Sequence, residues 1–260
     1  MSVDQPALCE DLMSSPRSRA QFLIGAGALA TTLGLAPEVV SAQHLRGGGV
    51  GHAMGMGESP QTILNIAATA EAAAVTALYH VHVAVLQGKV DTSGVAVPVA
   101  TLVAIVRAIL REEQDHYAFI TGAGGKPLLT SFSFPPAIFR SALASLAFLE
   151  AADTIFTAAY MAANREFAAA GAATLAQYTY QIGGTECEHR ALARAGQGKL
   201  PNNKSYETNL YQNVAGAAYS LKALGILKPN MPYPGARAVD HILGTTVSKN
   251  VSAGVIQRHP

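Results

Sequence analysis

Cysteine and charged residues are scarce in this sequence. The 260 residues include two cysteines, and charged residues make up 13% of the chain. If an N-terminal signal is removed, Cys9 leaves with it and Cys187 remains as a single thiol, so the mature chain has no intramolecular disulfide. This excludes a small secreted domain that is stabilised by disulfides. The net charge of +1 and the lack of a basic patch give no indication of a nucleic-acid partner.

Alanine accounts for much of the hydrophobic content, which reaches 50% of the residues. Runs such as Ala72 to Ala74 and Ala168 to Ala170 favour helix, and their small side chains let neighbouring helices approach closely. Apolar residues recur with helical periodicity over most of residues 60–197. The sequence therefore predicts an all-α fold.

The first 42 residues have the pattern of an export signal. Arg17 and Arg19 precede an uncharged stretch, and the small residues 40–42 suit a signal peptidase. The stretch around Arg19 resembles a twin-arginine signal, with Ala20 in place of the second arginine. We therefore predict export to the periplasm or cell envelope, with no stable membrane span after signal removal. The alternative is an uncleaved membrane anchor, although the apolar run is short for a spanning helix.

The rest of the chain divides into a linker, four helices and an extension. Residues 43–59 read as a Gly-rich linker, and Ser59 suits the N-cap of the first helix. The four helices of the predicted bundle, residues 60–197, span about 60–87, 98–122, 134–170 and 172–195. Residues 198–260 are predicted to form a C-terminal extension that packs on the bundle, with a fifth helix over 209–227.

The connection between the second and third helices indicates the topology. It is Gly-rich and then extended from Gly122 to Phe134. Ten extended residues span about 33 Å, close to the length of a 20-residue helix. The connection can therefore set the second and third helices parallel, whereas the shorter joins set the other consecutive helices antiparallel. This is the pattern of a four-helix bundle with one long crossover.

Two Glu-x-x-His units, on the second and fourth predicted helices, are the most informative motif. In each unit the two side chains lie on one helix face, one turn apart, so both reach a common point. A lone glutamate stands on the helix before each unit. Four carboxylates and two imidazoles from four helices are the ligand set of a carboxylate-bridged two-metal centre. The six predicted metal ligands are Glu71, Glu113, His116, Glu150, Glu186 and His189.

The distribution of charge favours metal ligands over structural glutamates. The helical neighbours of Glu71 and Glu113 include no lysine or arginine, and a buried carboxylate is costly unless it is paired or bound to metal. Two divalent cations would balance the charge of four carboxylates. The structural alternative is strongest for Glu186, because Arg190 stands one turn later and can pair with it on a surface.

Residues next to these ligands carry further expectations. Asp153, one turn after the lone glutamate of the third helix, is predicted to accept a hydrogen bond from a ligand histidine. Glu112 and Glu188 are predicted to be solvated, because they point away from the ligand face. The pair Gly183-Gly184 predicts irregular helix geometry, since two glycines inside a helix cost roughly 2 kcal/mol relative to alanine.

These motifs resemble bacterial ferritin-like domain proteins of the desiccation-related type, over about residues 60–195. The segments that carry the resemblance are residues 63–67, Glu71, Glu113 to His116, residues 133–139, Glu150 and Glu186 to His189. The ligand pattern is also similar to that of bacterioferritins, rubrerythrins and manganese catalases, but the Cys-x-x-Cys pairs of a rubrerythrin-type electron-transfer domain are missing. The resemblance implies a ferritin-like four-helix bundle with a long crossover between helices 2 and 3. It also implies a centre of two iron or two manganese ions, for which zinc is the less suitable replacement.

The first functional expectation is an exported oxidoreductase that oxidises metal or consumes dioxygen or hydrogen peroxide. One ion is expected on Glu71, Glu113 and His116, and the other on Glu150, Glu186 and His189. Glu113 and Glu186 are expected to bridge both ions. The alternative is a non-catalytic metal-binding or desiccation protein of the cell envelope, with an iron-storage cage as a weaker third interpretation. Assembly into a homo-oligomer is left open.

Overall fold

The computed structural model describes the backbone of residues 57–250 and the side chains of residues 57–244. The predicted export signal and nearly all of the predicted linker lie outside the described residues. The elements follow in the order α1 (Pro60–Leu86), α2 (Val99–Gly122), β1 (Ser131–Phe132), a 3₁₀ turn (Pro136–Phe139), α3 (Ala142–Ala169), α4 (Ala173–Gly196), α5 (Val214–Ala223), β2 (Met231–Pro232) and α6 (Ala236–Asn250). The all-α class predicted from the sequence is confirmed.

Helix α1 begins and ends where the sequence predicts. The side chain of Ser59 accepts a hydrogen bond from the backbone N–H of Thr62 at 3.1 Å, and Pro60 occupies the first turn. Gly88 has a φ of +65°, a left-handed conformation that ends the helix and that glycine adopts without steric cost. Helices α2 and α4 also lie within one residue of their predicted bounds.

Helix α3 begins later than the sequence predicts, at Ala142 rather than after Ser133. The 3₁₀ turn comes first, and Ser141 is then extended with a φ of −135°. The N–H of Asp91 donates to the carbonyl of Arg140 at 2.8 Å, and the carbonyl of Asp91 accepts from the N–H of Ala142 at 2.8 Å. Because the loop after α1 pairs with the chain at this point, the helix cannot extend back through Arg140 and Ser141.

Contacts between the long helices define their directions. The side chain of Gln61, near the start of α1, donates to the backbone carbonyl of Gly124, just past the end of α2, at 2.9 Å. Helices α1 and α2 are therefore antiparallel. Lys199, just past α4, lies 2.7 Å from Glu150 near the start of α3, so α3 and α4 are antiparallel as well. Leu102 near the start of α2 packs in one cluster with Leu146 near the start of α3. Helices α2 and α3 therefore point the same way.

The segment between α2 and α3 runs along α1. The N–H of Lys126 donates to the side chain of Asn65 at 2.8 Å near the start of α1. The ring of Phe139 lies 6.4 Å from the ring of His80, near the end of α1. Helix from Asn65 to His80 is about 22 Å long at 1.5 Å per residue. The connection thus runs along more than half of the length of α1, whose 27 residues span about 40 Å.

The C-terminal segment packs on both pairs of long helices. Helix α5 contacts α3 and α1, and it is shorter than the predicted 209–227. Strand β2 pairs antiparallel with β1 of the crossover, and the sequence does not predict this pairing. Val239 and Leu243 of α6 pack against Val75 and neighbouring side chains of α1 and α2. The helix turns sharply at Gly244, which has a φ of +68°.

Helices α1 and α3 are long and apolar enough to cross a membrane by length and composition. The most apolar 18-residue windows have mean hydropathies of 1.3 and 1.4, and 61% and 50% of their residues are buried inside the protein. Core helices of a soluble helical protein pass the same test. These two helices are therefore weak evidence for a membrane span.

Candidate metal centre

Six buried titratable side chains from the four long helices meet in one cluster. They are Glu71 on α1, Glu113 and His116 on α2, Asp153 on α3, and Glu186 and His189 on α4. They form two overlapping groups, and the facing ligand atoms of each group lie within 4.8 Å of one another. The first group is Glu71, Glu113, His116 and Glu186, and the second is Glu113, Asp153, Glu186 and His189. Glu113 and Glu186 belong to both groups.

The two shared glutamates divide their oxygens between the two histidines. His116 Nδ1 lies 3.4 Å from Glu186 Oε1 and 3.8 Å from Glu113 Oε2. His189 Nδ1 lies 3.6 Å from Glu186 Oε2 and 3.1 Å from Glu113 Oε1. Glu71 Oε2 is 3.7 Å from His116 Nδ1 and completes the first group. Each shared carboxylate therefore turns one oxygen toward each histidine, which is the arrangement of a carboxylate that bridges two ions.

Most of the facing atoms have no hydrogen-bond partner. These buried atoms are Glu71 Oε2, both Glu113 oxygens, His116 Nδ1, Asp153 Oδ2, both Glu186 oxygens and His189 Nδ1. An unpartnered buried polar atom is costly, and more so when it is charged. Cations at the centre would compensate these atoms, and a mixed carboxylate and imidazole set suits iron(II), manganese(II) or zinc. The residues present therefore form two overlapping groups that could hold a metal ion.

Glu150 does not lie in this cluster, in contrast to the sequence prediction. Its carboxylate accepts a hydrogen bond from Arg194, one from Lys199 at 2.7 Å and one from Gln197 at 2.9 Å. Burial alone would raise the pKa of Glu150, but these hydrogen bonds outweigh it and lower the pKa. Glu150 is paired near the end of α4, and its oxygens are not available to the centre.

Asp153 takes the position predicted for Glu150. It lies one turn further along α3, its side chain is 1% exposed, and its Oδ2 has no partner. Burial, followed by the charge of Glu186, raises the pKa of Asp153 well above its ordinary value. The sequence places Asp153 on the correct helix face but gives it the role of a hydrogen-bond acceptor. That role belongs to another residue.

Glu112 is the residue that accepts from a cluster histidine. Its Oε2 lies 2.7 Å from His189 Nε2, and the hydrogen bond lowers the pKa of Glu112. The prediction that Glu112 is solvated is wrong, because only 30% of its side chain is exposed. When Nε2 carries the proton and donates it to Glu112, the lone pair on Nδ1 of His189 is free to bind a cation at the centre.

Arg190 does not pair with Glu186. It donates instead to Glu207 and, at 3.3 Å, to the side-chain oxygen of Asn203, both in the segment after α4. Both oxygens of Glu186 consequently stay without a partner. The structural interpretation that the sequence left open for Glu186 therefore has no support in this geometry.

Tyr160 of α3 orients Glu71. Its hydroxyl donates to Glu71 Oε1, which leaves Oε2 directed at His116. Burial, and next the charge of Glu71, raises the pKa of Tyr160 well above its ordinary value, so the phenol keeps its proton. The sequence predicts tyrosines, Tyr160 among them, in the core near the site, but it does not predict this partner, because Tyr160 and Glu71 stand on different helices.

Gly183 permits α4 to approach α3 closely at Tyr160. A Cβ at this position would lie 3.1 Å from the Cβ of Tyr160. Helix α4 nevertheless runs unbroken through Gly183 and Gly184, so the predicted irregular geometry is wrong. The first glycine gives α3 and α4 room to pack, while nothing lies within 4 Å of a Cβ at Gly184.

The cluster binds protons strongly when no cation compensates its charge. Burial, and then the charge of Glu113, raises the pKa of Glu71 from 4.5 to about 8. Burial alone would lower the pKa values of His116 and His189, but the neighbouring carboxylates favour a protonated ring and raise both pKa values well above the ordinary value. A cation that enters the centre must displace these protons, so binding should release protons.

Comparison of the chain with models of protein families, with curated proteins and with solved structures gives no match. The resemblance to ferritin-like proteins therefore stays a prediction that rests on the motifs.

Proposed function

We propose that the chain is a ferritin-like four-helix bundle whose buried cluster binds two divalent ions of iron or manganese. We further propose that it is an exported oxidoreductase that oxidises metal or consumes dioxygen or hydrogen peroxide. The observation that carries the proposal is the division of the Glu113 and Glu186 oxygens between His116 and His189. The parallel directions of α2 and α3 support the bundle topology.

The proposed ligands divide into two ends and a shared middle. Glu71 and His116 would hold one ion, and Asp153 and His189 the other. The shared carboxylates of Glu113 and Glu186 would contact both ions. With four carboxylates against two divalent cations, the charges balance. A pair of redox-active ions in such a site supplies two electrons to, or exchanges two electrons with, an oxygen species.

Residues around the cluster hold the proposed ligands in position. Glu112 binds Nε2 of His189 at 2.7 Å, and so directs Nδ1 at the centre. Tyr160 binds one oxygen of Glu71 and leaves the other free. Because Tyr160 keeps its proton and is 6% exposed, its hydrogen bond to Glu71 is shielded from bulk water.

The first test is the metal content of the protein after anaerobic addition of ferrous or manganous ions. Elemental analysis should find about two ions per chain. Glu113→Ala should bind neither ion, because Glu113 belongs to both groups. Glu188→Ala is the matched control, since Glu188 is an exposed glutamate on α4 outside the cluster. Normal metal content in Glu113→Ala would overturn the site.

A second measurement separates turnover from binding. Rapid oxidation of the bound ions by dioxygen, or disproportionation of added peroxide, is the result expected of an oxidoreductase. Two ions that stay bound and unchanged under both reagents would contradict the enzymatic proposal and favour a metal-holding protein of the envelope.

A further inference from the structure

A narrow apolar cavity of about 70 Å³ adjoins the cluster between α1, α2 and α3. Glu113 and Asp153 line it at the level of the centre. From there it extends along α1 from Ala73 to Val85, which is about 18 Å of helix at 1.5 Å per residue. The cavity is therefore an elongated passage that begins at two members of the cluster.

The cavity exists because small side chains occupy core positions. Ala73, Ala74 and Ala77 form part of its wall on α1, where larger aliphatic residues would fill the space. Protein interiors contain few voids larger than a water molecule, and a void of this size costs stability. Packing alone therefore does not favour a cavity at this place, next to the cluster.

Water has few partners along this passage. A buried water needs two to four polar partners, and apolar cavities without them stay dry. The hydroxyl of Ser145 lines the cavity but already donates to the carbonyl of Ile138 at 2.5 Å. His82 also lines it, and the buried Nδ1 of its ring, which has no hydrogen-bond partner, is a single further polar atom in this wall. Away from Glu113 and Asp153, the walls are otherwise almost entirely aliphatic and aromatic.

These walls discriminate between the two oxidants. Hydrogen peroxide carries two hydroxyl groups and loses their hydrogen bonds with water when it enters an apolar space, which costs free energy. Dioxygen makes no such hydrogen bonds and favours apolar surroundings over water. A passage of this kind favours the entry of dioxygen over that of hydrogen peroxide.

We propose that this cavity binds dioxygen and delivers it to the Glu113 and Asp153 side of the centre, so that dioxygen rather than hydrogen peroxide is the oxidant. This inference rests on the proposed function for its chemical step. The electrons balance when one dioxygen takes up two electrons, one from each of two ferrous ions, and two protons from water, and leaves as one hydrogen peroxide.

A second apolar cavity of about 40 Å³ provides an internal control. It lies toward the other end of the helices and is lined by Ile63, Leu64 and Ala67 of α1, among others. None of the six cluster residues lines it. A leucine at Ala77 should fill the first cavity, and a leucine at Ala67 should fill the second.

Xenon, an apolar atom that occupies dry cavities, tests binding without any metal. In the metal-free protein, xenon should shift the methyl NMR signals of Leu78 and Val81, which line the first cavity. Ala77→Leu should abolish these shifts, and Ala67→Leu should leave them unchanged. If Ala77→Leu does not fold, Ala77→Val, which fills less of the space, should reduce the shifts. Unshifted methyl signals at Leu78 and Val81 would overturn the inference.

Oxidation of bound ferrous ions tests the delivery of dioxygen. In the unsubstituted protein, dioxygen should oxidise the ions faster than hydrogen peroxide at equal concentration. Ala77→Leu should slow oxidation by dioxygen at least 10-fold, with two ferrous ions still bound, and Ala67→Leu should match the unsubstituted protein. Faster oxidation by peroxide, or an unchanged rate in Ala77→Leu, would overturn the inference.

The two proposals fail in different ways. Two bound ferrous ions with no xenon at Leu78 and Val81 would overturn only the cavity inference. Xenon at these methyl groups with no bound ferrous ions would overturn the proposed function, and the dioxygen role with it.

Discussion

The carboxylate that α3 contributes to the centre can be tested by two matched amide substitutions, Asp153→Asn and Glu150→Gln. Each removes one negative charge and keeps the shape of the side chain. Asp153 lies in only one of the two groups, beside His189, so Asp153→Asn should lower the metal content from about two ions per chain to about one. Glu150→Gln should keep both ions, because its carboxylate is already paired with Arg194 and Lys199.

The two variants should also differ in stability, and in opposite directions. The Glu150 carboxylate is 19% exposed and accepts from Arg194, which is 14% exposed. Loss of this charged hydrogen bond, together with the weaker contact to the half-exposed Lys199, costs about 1–3 kcal/mol. For a protein of this size each kcal/mol lowers Tm by roughly 2–4 °C. In the metal-free protein, Asp153→Asn should be neutral or stabilising, because burial raises the pKa of Asp153 and so disfavours a charge there, and an amide carries no charge.

Elemental analysis after anaerobic ferrous loading, and thermal unfolding with a chelator present, measure both quantities. One ion per chain in Glu150→Gln together with two ions in Asp153→Asn would refute the geometry. So would a metal-free Asp153→Asn protein that melts well below Glu150→Gln.

Three further predictions concern the surroundings of the cluster. Glu112→Gln should keep the fold and lower the metal affinity of one of the two positions by about 10–100-fold, because the hydrogen bond to His189 Nε2 becomes weaker. Competition with a chelator measures this affinity, and unchanged affinity at both positions would contradict the prediction. In the metal-free protein, the pKa of Glu71 is raised from 4.5 to about 8, so the folded state keeps a proton that the unfolded state releases between these values. The free energy of unfolding of the metal-free protein should therefore fall as the pH rises from about 5 to about 8, by up to roughly 1.4 kcal/mol per pH unit for this group. Urea unfolding with a chelator present measures this free energy, and a rise over this pH range would contradict the raised pKa of Glu71. Gly184→Ala should stabilise α4 by up to about 1 kcal/mol, since nothing lies within 4 Å of the added Cβ. Gly183→Ala should not be stabilising, because its Cβ would lie 3.1 Å from the Cβ of Tyr160. Equal unfolding free energies for the two variants would show that the approach of α3 to α4 does not depend on Gly183.

Local signals in the sequence predict the long helices well. Ser59 and Gly88 mark the ends of α1 because capping and left-handed backbone are properties of single residues. The start of α3 is different, since the break at Ser141 depends on backbone hydrogen bonds to Asp91, a residue in a distant loop. A helix boundary of that kind is decided by tertiary contact and carries little local signal.

The choice between Glu150 and Asp153 was beyond the sequence for the same reason. Both lie on one face of α3, and the neighbours of Glu150 within its own helix do not include a basic residue. Its partners, Arg194 and Lys199, come from the far end of α4 and the turn beyond it. The two Glu-x-x-His units, in contrast, have both members on one helix, so their spacing alone brings Glu and His to a common point.

The antiparallel directions of the long helices divide the molecule into two helical hairpins, α1 with α2 and α3 with α4. Each hairpin is local in sequence, and each contributes three of the six cluster residues. The first supplies Glu71, Glu113 and His116, and the second supplies Asp153, Glu186 and His189. Neither hairpin contains all the residues of either group. Glu113 of the first hairpin and Glu186 of the second belong to both groups. Ions at the centre would thus hold the two hairpins together. Their removal would weaken the packing of one hairpin on the other before it unfolded any helix.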